Sequence, residues 1–192
     1  MTPAPVSEWR RETRARLIAR RLAAAPEQRA EWQAAIERHL TGALAEASPA
    51  TIAAYWPIRG EPDPRPFALG LAASGWRVAL PVLAGPRRKM IFRAWSEAAE
   101  MDEGSFGIPV PRAGEELRPD IVLLPLVGFD AANFRLGYGG GYYDRTLAGL
   151  ALPPRTIGLG FELSRLATIQ PQPHDIALDL VVTEAGAQTA SA

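Results

Sequence analysis

The chain has no cysteine. Disulfides, thiolate nucleophiles and the common cysteine-based zinc sites are therefore excluded, and the lack suits a reducing compartment, so the expected location is the cytoplasm. It has no net charge either, with 21 basic and 21 acidic side chains. No overall field draws it to nucleic acid or to an anionic membrane. No apolar run approaches the roughly 18 residues of a membrane span, and the first residues lack the apolar stretch of a signal peptide.

Present instead are 192 residues, 47% hydrophobic and 22% charged. That is the balance of a globular protein with room for one sizeable core and too little chain for two. The expectation is a single α/β domain over residues 1–185 and a frayed tail over 186–192. Charge is unevenly spread, with six arginines between Arg10 and Arg21. Such a helix either meets a phosphate-bearing ligand or presents a solvated face.

Periodicity and punctuation divide the chain. Ser7 can cap a helix to about Ala24, with Trp9, Leu17, Ile18 and Leu22 roughly on one face. Pro26 suits the first turn of a second helix carrying Trp32, Ile36, Leu40 and Leu44. Thr51 to Trp56 reads as a buried strand, Phe67 to Ala73 as a short helix and Val78 to Leu83 as a second strand. Met90 to Trp95 is a further strand candidate, and Gly104 to Pro111 reads as loop. Asp120 to Phe129 has the most buried pattern of all. A helix from Tyr142 to Leu150 follows, then strands at Thr156 to Phe161 and Leu180 to Thr183. Strand–helix–strand order builds a parallel sheet with helices on its faces.

Such sheets bind ligands beyond the carboxyl ends of their strands, and the segment Gly128 to Arg145 (GFDAANFRLGYGGGYYDR) falls there. Gly137, Gly139, Gly140 and Gly141 free the backbone for left-handed angles and close approach. Successive N–H groups in such a turn form an anion nest, and the helix that follows adds partial positive charge. Arg135 can grip a phosphate with its fork, and Asp144 can hold Mg²⁺ together with phosphate oxygens. Each residue also has a plain reading: a tight turn, a surface cation, a carboxylate at a helix start. The segment is neither a Walker A loop nor a G-x-G-x-x-G fingerprint, since Tyr142 stands where the last glycine belongs.

The longer string resembles the signature of the 5-formyltetrahydrofolate cyclo-ligase family. The matching pieces are Phe129-Asp130, Arg135-Leu136-Gly137 and Gly141-Tyr142-Tyr143-Asp144. Glu61, Gly107-Ile108-Pro109, Pro173-His174-Asp175, Asp179 and Thr183-Glu184 follow in family order, so the likeness covers nearly the whole chain. It implies a three-layer α/β/α sandwich and the ATP-dependent closure of 5-formyltetrahydrofolate to 5,10-methenyltetrahydrofolate. By position, ATP would be bound by Arg10, Arg14, Arg135, Leu136, Gly137, Tyr138, Gly139, Gly140, Gly141, Tyr142, Tyr143 and Asp144. The resemblance gives Arg135 and Asp144 the catalytic roles and makes Asp144 and Asp179 the Mg²⁺ ligands. Folate would meet Trp56, Glu61, Tyr142 and Tyr143, with Met90, Phe92 and Trp95 as further pocket candidates. His174 would orient a loop through Asp175. The expected partners are these small molecules, for a monomer or small homo-oligomer.

Two positions depart from the family pattern. Arg10 stands where lysine is usual, replacing a compact ammonium with a planar fork. Asn133 stands where glycine is common, and asparagine tolerates a left-handed backbone. Two rival functions have signatures of their own. An ATP-using enzyme for a non-folate substrate would alter the side around Trp56 and Glu61. A non-catalytic folate-binding protein would have lost Asp144 or Asp179. The chain keeps all four.

Overall fold

The computed structural model describes residues 5–83, 85 and 89–190. In order, its elements are α1 (Val6–Leu22), α2 (Pro26–Ala43), β1 (Thr51–Ala53), α3 (Arg65–Ala72), β2 (Arg77–Leu83) and β3 (Met90–Ala94). Then come β4 (Met101–Glu103), β5 (Pro109–Pro111), β6 (Ile121–Pro125), β7 (Gly128–Phe129) and β8 (Arg135–Leu136). The last are α4 (Tyr142–Leu147), β9 (Arg155–Leu159), β10 (Leu180–Thr183) and β11 (Gly186–Gln188).

Seven strands form one sheet in the order β11-β10-β9-β6-β1-β2-β3. The five central strands run parallel, while the two edges, β3 and β11, are antiparallel. Alternation along each strand sends side chains to two separate cores. Ile52, Val78, Leu80, Ile121, Leu123, Ile157 and Val182 pack with Ile36 and Leu40 of α2 and Ala68 of α3. Ala53, Ala79, Val122, Leu124 and Val181 pack with Leu147 of α4 on the other face. The layers are thus helix, sheet, helix, as the sequence led us to expect.

Topology then locates the site. From β1 the chain crosses through α3 to β2 on one side, whereas from β6 it crosses through α4 to β9 on the other. The strand order therefore reverses between β1 and β6, which pair directly. A crevice opens beyond the carboxyl ends of strands at such a point. Glu61 follows β1, and the glycine-rich turn follows β6.

Several boundaries differ from expectation. Helix α1 starts at Val6, with Pro5 at its cap and no side-chain cap from Ser7. Its buried residues are Arg10, Thr13, Leu17 and Arg21, while Leu22 is exposed. The apolar stripe is therefore only partly the inward face: Leu17 is buried together with Arg10 and Arg21, whose hydrogen bonds help to seat α1. Helix α4 ends at Leu147, short of Leu150, because the backbone turns at Ala148 and Gly149. The stretch read as loop after Gly104 contributes β5, which pairs with β4 in a two-stranded ribbon. The expected frayed tail also needs correction. Residues 186–188 are β11, paired to β10 through a tight turn with Gly186 at φ +143°. Residues 191 and 192 lie outside the described residues.

Candidate active site

The turn after β6 is shaped first by Asp130. Its Oδ1 accepts from the Ala132 and Phe134 amides, and its Oδ2 accepts from the Ile169 amide. Asn133 sits in the left-handed region at φ +60° and is fully buried, with Nδ2 donating to the Leu178 and Gln188 carbonyls. Asparagine has thus replaced glycine with bonds that glycine cannot make. The short ribbon of β7 and β8 brings the chain back so that Arg135 points into the crevice rather than to solvent, at 7% exposure.

Arg135 carries two of the three buried side-chain nitrogens that lack a partner among the described residues. Its Nη2 lies 3.0 Å from an Asp144 oxygen, yet Nε and Nη2 are buried with no hydrogen-bond partner among the described residues. The charges meet, but no N–H points along the contact. Buried donors are almost always paired, so an orphaned guanidinium beside a glycine-rich turn is a place waiting for acceptors. A Cβ at Gly137 would come within 2.8 Å of Arg135 Nη1, so only glycine fits there without displacing the fork. Within the turn, Gly139 and Gly141 take left-handed angles of +92° and +61°. Gly137 and Gly140 do not.

Helix α1 lies across these strand ends. Arg14 Nε donates to the Gly137 carbonyl at 2.7 Å, and its guanidinium flanks Gly139. Burial and the neighbouring Arg10 charge hold the Arg14 pKa below its ordinary value. A cation so placed gains from an incoming anion. Arg10 is differently employed. All three of its nitrogens donate within the protein, to Asp175 and to the carbonyls of Ile169 and Gln170. Burial pushes the Asp175 pKa up, but bonds from Arg10 and the Gln172 amide outweigh this and hold it below the usual value. The fork that replaces the family's lysine is a pin between α1 and the loop before β10. His174, 74% exposed and 3.9 Å from Asp175, is only loosely attached to this pair.

On the other side, Glu61 is 9% exposed. Its Oε1 accepts from the Tyr138 hydroxyl at 2.6 Å, and its Oε2 accepts from the Ile58 amide at 2.9 Å. Arg21 joins them, with Nη2 donating to the Tyr138 oxygen at 2.8 Å and lying 3.9 Å from Glu61. Burial raises the Glu61 pKa despite these partners. Tyr143 is pushed up in the same way, with Arg135 5.4 Å above its ring. Tyr142 carries Arg145 over its ring and meets Phe106 edge-on. Trp56 packs edge-on against Trp95, while Arg65, anchored on Asp63, covers the Trp56 ring at 3.9 Å.

The expected residues thus divide. Arg14, Arg135, Leu136, the turn from Gly137 to Gly141, Tyr142, Tyr143 and Asp144 come together, with Glu61 bonded to the same turn. Met90 and Phe92 are buried, Phe92 within the core on the α4 face, and Met90 donates its amide to Thr146. Asp179 is separately occupied. Its Oδ2 accepts from the Thr156 amide and hydroxyl at the start of β9, and no hydrogen bond or ion pair joins it to Asp144 among the described residues. Nor is there any group of three or more metal-ligating side chains among them. Sequence reasoning missed Arg21, although the spacing Arg10, Arg14, Leu17, Arg21 is a helical stripe that could have revealed it.

The structure is thus a mostly parallel α/β sheet with an arginine-lined glycine turn at its switch point. Its lineage is equally plain: residues 6–184 match the 5-formyltetrahydrofolate cyclo-ligase family, and the chain belongs to that family of ligases. It is 32% identical over 175 residues to the 5-formyltetrahydrofolate cyclo-ligase of Escherichia coli, covering 85% of this chain and 94% of that one. The solved structure of 5,10-methenyltetrahydrofolate synthetase from Aquifex aeolicus superposes with a TM-score of 0.82 at 26% identity, over 95% of this chain and 93% of that one. That of the Mycoplasma pneumoniae synthetase gives 0.74 at 25% identity, over 91% and 98%.

Proposed function

We propose that this chain closes 5-formyltetrahydrofolate to 5,10-methenyltetrahydrofolate, converting one ATP to ADP and phosphate. The observation that carries this reading is the pair of unpartnered Arg135 nitrogens beside the glycine-rich turn, in a member of the cyclo-ligase family.

The chemistry explains why such a site is needed. A formyl group on nitrogen is an amide, with a poorly electrophilic carbon and an oxygen that leaves badly. Transfer of the γ-phosphoryl group to that oxygen creates a good leaving group. The 10-nitrogen attacks the formyl carbon and gives up its proton to solvent, the carbon–oxygen bond breaks, and phosphate departs. Positioning and charge stabilisation do most of this work. Arg135 and Arg14 hold the phosphates, the turn from Gly137 to Gly141 supplies backbone N–H groups, and Tyr142 and Tyr143 shield the reacting atoms from water. Glu61 accepts from the pterin N–H groups, with Trp56 beside it. Arg10 serves as the pin described above.

For Mg²⁺, Asp144 fits and Asp179 does not. The Asp144 carboxylate faces the turn beside Arg135, and one carboxylate plus phosphate oxygens is an ordinary Mg²⁺ environment. The ion neutralises charge developing on the phosphates when bound. No helix among the described residues is long and apolar enough to cross a membrane, and we place the enzyme in the cytoplasm.

The test is direct. Protein, Mg·ATP and 5-formyltetrahydrofolate are mixed and methenyl-folate absorbance is followed. An ATP-dependent rise is expected, and its absence rejects the proposal. ATP turnover with another substrate alone would indicate a non-folate enzyme; folate binding without turnover would indicate a binding protein.

A further inference from the structure

The cluster of Glu61, Tyr138 and Arg21 joins two parts of the site that the chain keeps far apart. Glu61 follows β1, and Tyr138 stands in the glycine-rich turn after β8. Tyr138 is 37% exposed as a residue, yet its hydroxyl reaches inward to the carboxylate at 2.6 Å. That separation is typical of a hydroxyl bonded to a charged oxygen. Arg21 is held in turn by donations to the Arg59 carbonyl at 2.9 Å and the Leu126 carbonyl at 3.1 Å, leaving Nη2 for the tyrosine oxygen. The tyrosine lies between Gly137, whose carbonyl Arg14 grips, and Gly139 at φ +92°. A ligand seated on this turn acts on the backbone that carries Tyr138.

We infer that Tyr138 is a positioning residue: its hydroxyl, steadied by Arg21, fixes the Glu61 carboxylate and transmits occupancy of the glycine-rich turn to Glu61. The inference rests on the reading that nucleotide binds the turn and folate meets Glu61. If the two sites share one hydrogen-bonded element, each ligand must alter the affinity of the other by the same factor. A residue that merely stabilised the fold would change unfolding temperature and separate affinities without setting that factor.

The experiment measures the dissociation constant of 5-formyltetrahydrofolate with and without a saturating non-hydrolysable ATP analogue and Mg²⁺, using the full chain. In the unaltered protein, the analogue is expected to change folate affinity by about 5- to 50-fold, within the usual range of such couplings. In Tyr138→Phe, which removes only the hydroxyl, the factor should fall towards one. Tyr138→Leu, which removes ring and hydroxyl together, should behave alike. Coupling that survives in Tyr138→Phe, whether or not it is lost in Tyr138→Leu, overturns the inference, as does its absence from the unaltered protein. Failure of the unaltered protein to bind folate at all rejects the functional reading itself, and this inference with it.

Discussion

Replacing Arg135 by methionine and Asp144 by asparagine together should leave the free protein at least as stable while abolishing turnover. At 3.0 Å the two charges attract by about 5–6 kcal/mol for an effective dielectric constant of 20. Against this stand several kcal/mol for removing each charged group from water. The two orphaned nitrogens add about 1–3 kcal/mol each. Costs equal or exceed the attraction, so the double variant should unfold within about 1 kcal/mol of the original or above it. Urea denaturation without ligand measures this. Turnover, followed by methenyl-folate absorbance, should fall by about 10³-fold or more, the usual loss when an arginine on a transferring phosphoryl group is removed. Thermal stabilisation by Mg·ATP should disappear as well. A loss of more than about 3 kcal/mol in the free protein would refute the reasoning, because the pair would then be holding the fold rather than awaiting a ligand.

Other substitutions probe neighbouring claims. Gly137→Ala should raise the ATP concentration for half-saturation about tenfold, equivalent to ~1.4 kcal/mol, because its methyl group meets Arg135 Nη1; unchanged steady-state kinetics would show that the fork is not set by this glycine. Asn133→Ala should cost about 2–4 kcal/mol by chemical denaturation, combining left-handed strain with carbonyls left unpaired. Asn133→Gly should cost less, and equal losses would remove strain from the account. Glu61 titrates above its ordinary value because it is buried. Its contribution to stability is therefore full below that ordinary value and is lost as pH rises through the raised one. Denaturation midpoints of Glu61→Gln should consequently gain on the original as pH rises above 4.5, and a constant difference would show that the carboxylate is not responsible.

The sheet was readable because its strands are buried on both faces and bounded by proline and glycine. Thr51, Val78, Ile121 and Leu180 all begin or enter strands where the apolar runs placed them. The edge strand β11 and the ribbon of β4 and β5 were less so, since three-residue pairings leave no periodicity to count. Helix α1 was misjudged for a physical reason. Its inward face is held by Arg10 and Arg21, whose partners Asp175, Leu126 and Tyr138 lie more than a hundred residues away in the chain. Apolar spacing cannot report a face buried by hydrogen bonds. The turn from Gly137 to Asp144 was legible as an ordered string, but the employment of Arg10 and Asp179 inside the protein was not. Both side chains look the same in a sequence whether they face a ligand or a carbonyl.

The pin between Arg10 and Asp175 has a consequence for synthesis. Helix α1 contributes Arg14 to the glycine turn and Arg10 to a loop some 165 residues later. At roughly 5–20 residues per second, that helix waits on the order of ten seconds or more for its last partner. During the wait Arg10 has solvent, rather than carbonyls, for company. The nascent sheet can therefore begin to assemble before Arg10 pins α1 over the strand ends.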